Sequence, residues 1–416
     1  MSDRSNFCLS SFSSNSLICS FALVSLSFGC FSVAKAGEPA TVDVGIFKVA
    51  PIVMSDQEYN DNIFSQESDE KNSWVSVISP SVQAKADNGV HAYSLGYQLE
   101  AGYYENSTDD NYIDHHLDAD AEWELNQRHK LAVNAGYSAT HEDRGTGFSQ
   151  GTATFNNDSP DEFQEINLGA NYTFGGIRTK GRLVTALEYL DVRFTNHRGQ
   201  TRGRDREDIK LAETFYWDIG GSTDALFELA YTNVDYKNDP TSVSGSTDTL
   251  DNELVKALVG VTWLATGKTE GTVKFGYAEK NFDDSDRDDF SGFDWSVAVK
   301  WSPKAYSSLT INTGRRQDES NGSGDFIDGQ DFGLVWKHAW SDRFNTQLST
   351  NYSIEDYKGD VNKQEDDLLD YSLRVNYEMR RWLTLGTSFT YEERDSNQEG
   401  EDFTRNIVAL HIEASL

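Results

Sequence analysis

The stretch LDADAEWEL, residues 117–125, decides the fold because apolar and acidic residues alternate in it without a break. In an extended strand, Leu, Ala and Trp would share one face, and Asp118, Asp120, Glu122 and Glu124 would share the other. Placing these four carboxylates in hydrocarbon would cost roughly 2 kcal/mol or more each near the middle of a bilayer. The stretch therefore predicts a strand that separates lipid from water.

The same period of two returns along the whole chain, for example over residues 131–137, 295–301, 369–377 and 383–391. Two kinds of connection alternate between these segments. Short ones lie near residues 87–89, 126–129, 175–178, 219–223, 265–269, 303–307, 341–343 and 380–381. Long, acidic ones lie near 55–72, 105–111, 141–161, 194–207, 236–251, 281–291, 316–328, 355–366 and 393–402.

Eight short and nine long connections separate about 18 strands, an even number that suits a closed barrel. A propeller would need four strands in each repeat of about 40 residues, and only two fit. A soluble sandwich would seldom place an aromatic residue before one short turn after another. We therefore expect an all-β protein: a closed antiparallel transmembrane β-barrel with short periplasmic turns and long acidic extracellular loops. The aromatic residues before short turns are Trp123, Phe174, Trp217, Trp263, Trp301, Trp340 and Tyr377.

The composition agrees with this class of protein. Only 37% of the 416 residues are hydrophobic, yet 12% are aromatic, which is unlike a disordered chain or a helical membrane protein. The formal charge of −32 excludes a general nucleic-acid-binding surface.

The N-terminus predicts export. An apolar run, Leu17–Val33, follows Arg4 and precedes Ala34-Lys35-Ala36, which resembles a signal-peptidase site. We interpret residues 1–36 as a signal peptide and residues 37–416 as the barrel, with a retained membrane anchor or a buried helix as alternatives. The expected location is the Gram-negative outer membrane. Every cysteine lies in the segment that would be removed: Cys8, Cys19 and Cys30.

Catalytic and metal-binding motifs are weak. Gly147-Phe148-Ser149-Gln150-Gly151 matches a nucleophile elbow, but that motif needs a strand-to-helix turn and this one lies in a long loop. Asp284-x-Asp286-x-Asp288 begins like a calcium loop, but Asp289 replaces the required Gly. Acidic loops of this kind leave loose divalent-ion binding as an alternative to a solvated surface. We expect no enzyme activity, no cofactor and no metal centre.

Charged residues within strands are the candidate lumen residues. They are Asp118, Asp120, Glu122, Glu124, Glu188 and Glu228, accompanied by Lys85, Lys274, Lys300 and Arg374. Charges in a water-filled lumen set the field that a permeating solute meets, and here acids dominate. The alternative is that these charges only solvate the wall.

One long loop is basic, unlike the other long loops, which are acidic. Residues 194–207 contain Arg198, Arg202, Arg204 and Arg206. Guanidinium groups bind phosphates and carboxylates through paired hydrogen bonds. Three interpretations stay open: binding lipopolysaccharide phosphates, contacting an anionic sugar chain, or folding inward against the acidic wall.

The N-terminal third carries a family resemblance. Tyr59-Asn60-Asp61-Asn62-Ile63-Phe64 is followed by a hydrophobic strand that ends at Ser79-Pro80, and later by Arg144-Gly145. This order resembles the outer-membrane β-barrel porins associated with exopolysaccharide and capsule biosynthesis clusters. Asn60 stands where that family often has Asp. The resemblance covers about residues 45–150 and implies a role in export of an envelope polysaccharide, without catalytic residues.

Three functions follow as hypotheses. The first is a conduit or accessory porin for an exopolysaccharide or capsular polysaccharide, and the second is a general diffusion porin that prefers cations. The third, an outer-membrane enzyme, has the least support because no Ser-His or Asp-His arrangement is visible in the sequence. The expected partners are outer-membrane lipids and lipopolysaccharide, the polysaccharide, a periplasmic polysaccharide export protein and the barrel assembly machinery.

Overall fold

The protein is an almost pure β structure. A computed structural model describes residues 41–176, 179–238, 249–264 and 267–415, so the signal peptide assigned to residues 1–36 lies outside the described residues. Within those ranges no helix is long and apolar enough to cross a membrane. The strands are β1 (Val42–Val44), β2 (Phe47–Asn60), β3 (Ser73–Asp87), β4 (His91–Tyr104), β5 (Tyr112–Asn126), β6 (His129–Glu142), β7 (Asp161–Phe174), β8 (Gly181–Phe194), β9 (Arg206–Gly220), β10 (Thr223–Tyr236), β11 (Asn252–Trp263), β12 (Thr269–Phe282), β13 (Phe290–Lys304), β14 (Ser307–Glu319), β15 (Phe326–Ala339), β16 (Phe344–Lys358), β17 (Glu365–Arg380), β18 (Leu383–Ser396) and β19 (Phe403–Ser415).

In the described residues, the helical segments are short and lie in the loops. One α-helical turn, α1, spans Arg198–Thr201, and 3-10 turns span Thr108–Asp110, Gly147–Ser149, Gly151–Asn156 and Arg202–Arg204.

Strands β2 to β19 close into one antiparallel barrel. Each strand pairs with the next along the chain, and β19 returns to β2 in a register that runs from Ile407 opposite Asn60 to Ser415 opposite Ile52. This ring of 18 strands confirms the predicted fold class. A closed ring satisfies the backbone hydrogen bonds of every strand, which a bilayer requires.

Strand β1 stands outside this count. It pairs with the first residues of β2, from Val42 opposite Val49 to Val44 opposite Phe47. Because β19 stops opposite Ile52, β1 occupies the same side of β2 just below the end of β19. It therefore covers the edge of β2 on the periplasmic side of the closure.

The connections alternate as predicted, and the loop of residues 105–111 has its predicted limits, but other outer loops are shorter than expected. The β14–β15 connection was predicted at residues 316–328, whereas β14 runs to Glu319 and β15 begins at Phe326. The strands continue because polar side chains pair across them: Arg316 binds Asp331 at 2.9 Å and Glu355 at 2.5 Å. The polarity of residues 316–319 and 326–328 predicts a loop, whereas these residues belong to strands β14 and β15.

The two faces of the wall differ in chemistry. Large apolar side chains such as Leu117, Trp217 and Phe275 are exposed on one face. On the other face, ion pairs form over an intervening strand: Lys274 of β12 lies 3.0 Å from Glu228 of β10, across β11. Side chains reach over a strand in this way on the concave side of a barrel. The charged face therefore lines the lumen, and the apolar face meets lipid.

Candidate functional site

An acidic strip runs along β5 inside the barrel, formed by Asp118, Asp120, Glu122 and Glu124. Asp118 is flanked by Gly96 of β4 and by Gly136 of β6, and the side-chain amide of Asn167 from β7 lies above Gly136. Ser94 donates a hydrogen bond to Asp120 at 2.7 Å. The upper two carboxylates of the strip therefore face the lumen with no cation within salt-bridge distance among the described residues, while Lys85 of β3, across Ser94, interacts electrostatically with Asp120.

The lower end of the strip is partly neutralised. Lys130 of β6 lies 2.5 Å from Glu124 and 3.9 Å from Glu122. The other two predicted lumen acids belong to separate pairs, because Glu188 contacts Lys210 at 3.1 Å and Glu228 contacts Lys274. The six predicted lumen acids thus do not form one site.

The extracellular mouth is crossed by the loop of residues 143–160, here called the crossing loop. This loop joins β6 to β7, yet the ring of Phe148 lies against Gly322 in the loop between β14 and β15. Gln150 donates to Asp366 of β17 at 3.5 Å, and the Gly151 carbonyl accepts from Gln66 at 3.1 Å. The loop therefore reaches about halfway round the barrel and narrows its outer end.

Glu401 meets the crossing loop from the β18–β19 side. Its carboxylate lies against Gly151, where a Cβ atom would collide with it. Burial raises the pKa of Glu401, whereas Arg394 and Gln150 lower it. Arg394 is 3.9 Å away, so the charge of this carboxylate is only weakly compensated.

Two separate parts of the family motif meet at the base of the crossing loop. The guanidinium of Arg144 lies 4.3 Å above the ring of Phe64 and donates two hydrogen bonds, each of 2.5 Å, to Asp110. Gly145 has φ of +94°, and a Cβ atom there would collide with the carbonyl oxygen of Phe64. We call Phe64, Asp110, Arg144 and Gly145 the latch, since they hold the loop where it leaves β6.

Two further motif residues, Asp61 and Asn62, stabilise the closure of the barrel between β19 and β2. Asn62 is fully buried and donates to the carbonyls of Gln66 at 2.8 Å and Thr404 at 3.0 Å, while its own oxygen accepts from the Gln66 amide. Asp61 accepts two hydrogen bonds from Asn406, at 2.7 and 2.8 Å. These side chains tie β19 to the loop that follows β2.

Tyr59 and Pro80 lie apart from the latch. The Tyr59 ring is 5.3 Å from that of Trp74. Pro80 is exposed on β3, where the pairing with β4 is interrupted between Ile78 and Ser81. The latch therefore includes Phe64, Arg144 and Gly145 from the motif but neither of these two residues.

The basic cluster of loop 194–207 separates in the structure. Arg204 turns inward and binds Glu142 through two hydrogen bonds of 2.7 and 2.6 Å, and Arg206 belongs to β9, where it contacts Asp208 at 3.2 Å. Arg198 pairs with Asp205 at 2.5 Å, and Arg202 is exposed. Arg204 fits the interpretation of inward folding, and the four residues do not converge on one ligand.

The G-x-S-x-G match has a structural use. The Ser149 hydroxyl donates to the Thr146 carbonyl at 2.8 Å and accepts from the Gly145 amide at 3.0 Å, so it shapes the crossing loop. Within the described ranges, no three His, Cys, Asp or Glu residues are grouped to hold a metal ion.

A hydrogen-bonded chain that the sequence did not reveal joins three strands in the lumen. His411 contacts Asp56 at 2.7 Å through Nδ1 and Ser388 at 2.8 Å through Nε2. The order Asp-His-Ser resembles that of a hydrolase, but the amides around Ser388 belong to the β-ladders and leave no free pair for an oxyanion. Only the strand register, which brings residues 56, 388 and 411 together, could have identified it.

Several solved structures are similar to this chain at low sequence identity. Among solved structures, the chain is similar to OpdO of Pseudomonas aeruginosa, with 12% identity, 88% of this chain and 97% of that one covered, and a TM-score of 0.46. It is also similar to OpdK of the same organism, with 8% identity, 88% and 99% coverage and a TM-score of 0.48. The FrpB iron transporter of Neisseria meningitidis gives 9% identity, 87% and 66% coverage and a TM-score of 0.45.

A search of curated proteins gives no match. The family model described as "Putative beta-barrel porin 2" matches residues 35–416, which includes the latch and all 18 barrel strands. The chain therefore belongs to this family of β-barrel porins.

Proposed function

We propose that the protein is a non-enzymatic outer-membrane channel that passes hydrophilic solutes and prefers cations. The observation that carries this proposal is the acidic strip of β5. Asp118 and Asp120 face the lumen, and among the described residues neither has a cation within salt-bridge distance, so their field reaches the solute path. This field lowers the electrostatic free energy of a permeating cation and repels a small anion.

The crossing loop sets the size of what passes. It narrows the mouth from the extracellular side, while the strip lies in the lower half of β5, closer to the periplasmic turn. Size selection and charge selection therefore occur at different depths. The proposal is of a restricted channel, in which solutes pass beside the crossing loop before they reach the strip.

Purified protein in planar bilayers tests this function. Under a KCl gradient, the wild-type channel should give a reversal potential on the cation-selective side, and Asp118→Asn with Asp120→Asn should move it toward zero. The matched control is Asp109→Asn with Asp342→Asn, which removes two exposed acids in connecting loops. Absence of ion-permeable events, or anion selectivity of the wild type, would refute the proposal.

Export of an exopolysaccharide or capsular polysaccharide is the second candidate. It is favoured by the family resemblance, together with the finding that Phe64 and Arg144-Gly145 meet at the extracellular exit. A polymer leaving the barrel would pass the crossing loop that this latch holds. In this case a periplasmic polysaccharide export protein would deliver the chain, lipopolysaccharide would surround the barrel, and the barrel assembly machinery would insert it.

A deletion strain separates the two candidates. Under the export hypothesis, polymer synthesis should continue while polymer on the cell surface falls, and the wild-type gene should restore it. Normal surface polymer in the deletion strain would reject export and leave the diffusion channel in place.

A further inference from the structure

A polar belt lies on the lumen wall opposite the acidic strip. The strand register places Lys337 of β15 opposite Gln347 of β16, Gln347 opposite Arg374 of β17, and Arg374 opposite Ser388 of β18. The neighbouring residues Leu348, Leu373 and Phe389 are exposed apolar side chains of the lipid face. All four belt residues therefore point into the lumen.

The two cations of this belt differ from others in the same lumen. Lys256, Lys274 and Lys300 each have a carboxylate oxygen 3.0 Å away: those of Asp294, Glu228 and Glu270. Arg374 donates only to the amide oxygen of Asn376, at 3.2 Å. Neither Lys337 nor Arg374 has a carboxylate partner among the residues that the structure describes.

The surroundings of the pair supply neutral hydrogen-bond donors. Gln347 lies between the two cations, and Ser388 lies on the far side of Arg374. Asp370 and Glu378 share the luminal face of β17 but lie four residues from Arg374, and Asp56 of β2 is already engaged by His411. Since neighbouring strands are about 4.8 Å apart, Lys337 and Arg374 start about 10 Å from each other and can approach one group over Gln347.

We infer that Lys337, Gln347 and Arg374 form a binding site for the carboxylate group of a hydrophilic solute. Arg374 offers a planar pair of donors that matches a carboxylate, Lys337 adds a mobile charge, and Gln347 adds an amide donor. The inference rests on the proposed channel function and adds a substrate class to it. Cations pass along the acidic strip, whereas acidic solutes bind transiently at the opposite wall.

Current block by gluconate, a sugar carboxylate, tests the site, with glucose as the uncharged control. Gluconate should interrupt the wild-type current in a concentration-dependent manner, whereas glucose should not. In Lys337→Gln with Arg374→Gln, the half-blocking concentration should rise at least about tenfold, which corresponds to about 1.4 kcal/mol. The single variant Arg374→Lys keeps the charge without the paired donors and should lie between the two.

The matched control is Lys304→Gln with Arg343→Gln, which removes two exposed positive charges near the periplasmic turns. It should leave gluconate block unchanged. Equal block in the wild type and the belt variant, or an equal loss in the control, would overturn the site while the channel function stands. A wild-type protein that passes no ions would instead refute the channel function. Heat-modifiable migration on gels checks that each variant is folded.

Discussion

Carboxylates have opposite roles in the acidic strip of β5 and in the latch of the crossing loop. In the strip, Asp118 lies between Gly96 and Gly136, Asp120 lies between Ser94 and Asn134, and both face the water-filled lumen. In the latch, Asp110 is buried and accepts two of the hydrogen bonds that the Arg144 guanidinium donates. A carboxylate with a bound cation fixes structure, whereas one without a bound cation acts on the solutes that pass.

This difference predicts which substitutions alter the shape of the protein and which alter only its permeability. Removing one member of a buried ion pair leaves the other charge uncompensated in the low-dielectric interior of the protein. Removing a charge that faces a water-filled lumen leaves nothing unpaired. Variants of the latch should therefore change stability and conductance together, whereas variants of the strip should change only selectivity.

The largest effect is expected for Arg144→Ala. Only 10% of the Arg144 side chain and 5% of the Asp110 side chain are exposed, so the variant leaves Asp110 uncompensated at a cost of roughly 3–5 kcal/mol. The crossing loop should detach, and single-channel conductance should rise. Denaturation in detergent and bilayer recordings measure the two consequences. Arg198→Ala, which breaks a more exposed pair, serves as the control.

If Arg144→Ala left both conductance and stability at wild-type values, the latch would not hold the loop. A loss of stability with unchanged conductance would mean that the loop does not limit the flow of ions.

A smaller loss of stability is expected for Asn62→Ala. The substitution leaves the Gln66 amide and the carbonyls of Gln66 and Thr404 without a partner, at a cost of about 2 kcal/mol. The urea midpoint of the barrel should fall, and Asn62→Asp should not restore it because an ionised Asp cannot donate to the two carbonyls. A wild-type midpoint for Asn62→Ala would show that the β2–β19 closure does not depend on this side chain.

Charge reversal of the strip, Asp120→Lys with Glu122→Lys, should leave the barrel folded because both side chains face water. The reversal potential in a KCl gradient should move away from cation selectivity. The comparison between strip and latch would fail if this variant did not fold, since the face would then not be luminal. Unchanged selectivity in an open channel would assign the strip to solvation alone.

The smallest effect is a pH dependence of the contact between Glu401 and the crossing loop. Burial raises the pKa of Glu401 in the folded state, so that state binds the proton more tightly than the unfolded chain does. The contact is therefore strongest below the ordinary Glu pKa and weakens as the pH rises through the raised value. Opening events should be rarer at about pH 5 than at about pH 8. Glu401→Gln should remove the part of this dependence that Glu401 causes, and an unchanged pH profile in that variant would disprove its role.

Periodicity was sufficient to predict the barrel, because the two faces of a membrane strand need opposite side chains. Strand number and alternation of loops followed from the same pattern, whereas loop limits did not, since Arg316 and its acidic partners extend strands that their polarity concealed. The latch was visible only as two motif fragments, near residues 62 and 144. Their meeting depends on the inward path of the crossing loop, which period-two patterns do not encode. The polar belt required the register of four strands.

Strand β1 affects which backbone groups are left unpaired where the barrel closes. The β19–β2 ladder contains nine register pairs, and the pairing of β1 with β2 adds three more on the same side of β2. Without β1, the backbone groups at the start of β2 would form an unpaired edge beside the end of β19. Strand β1 therefore shields the start of β2 at the periplasmic rim, while lateral opening between the first and last barrel strands still requires the nine β19–β2 pairs to separate.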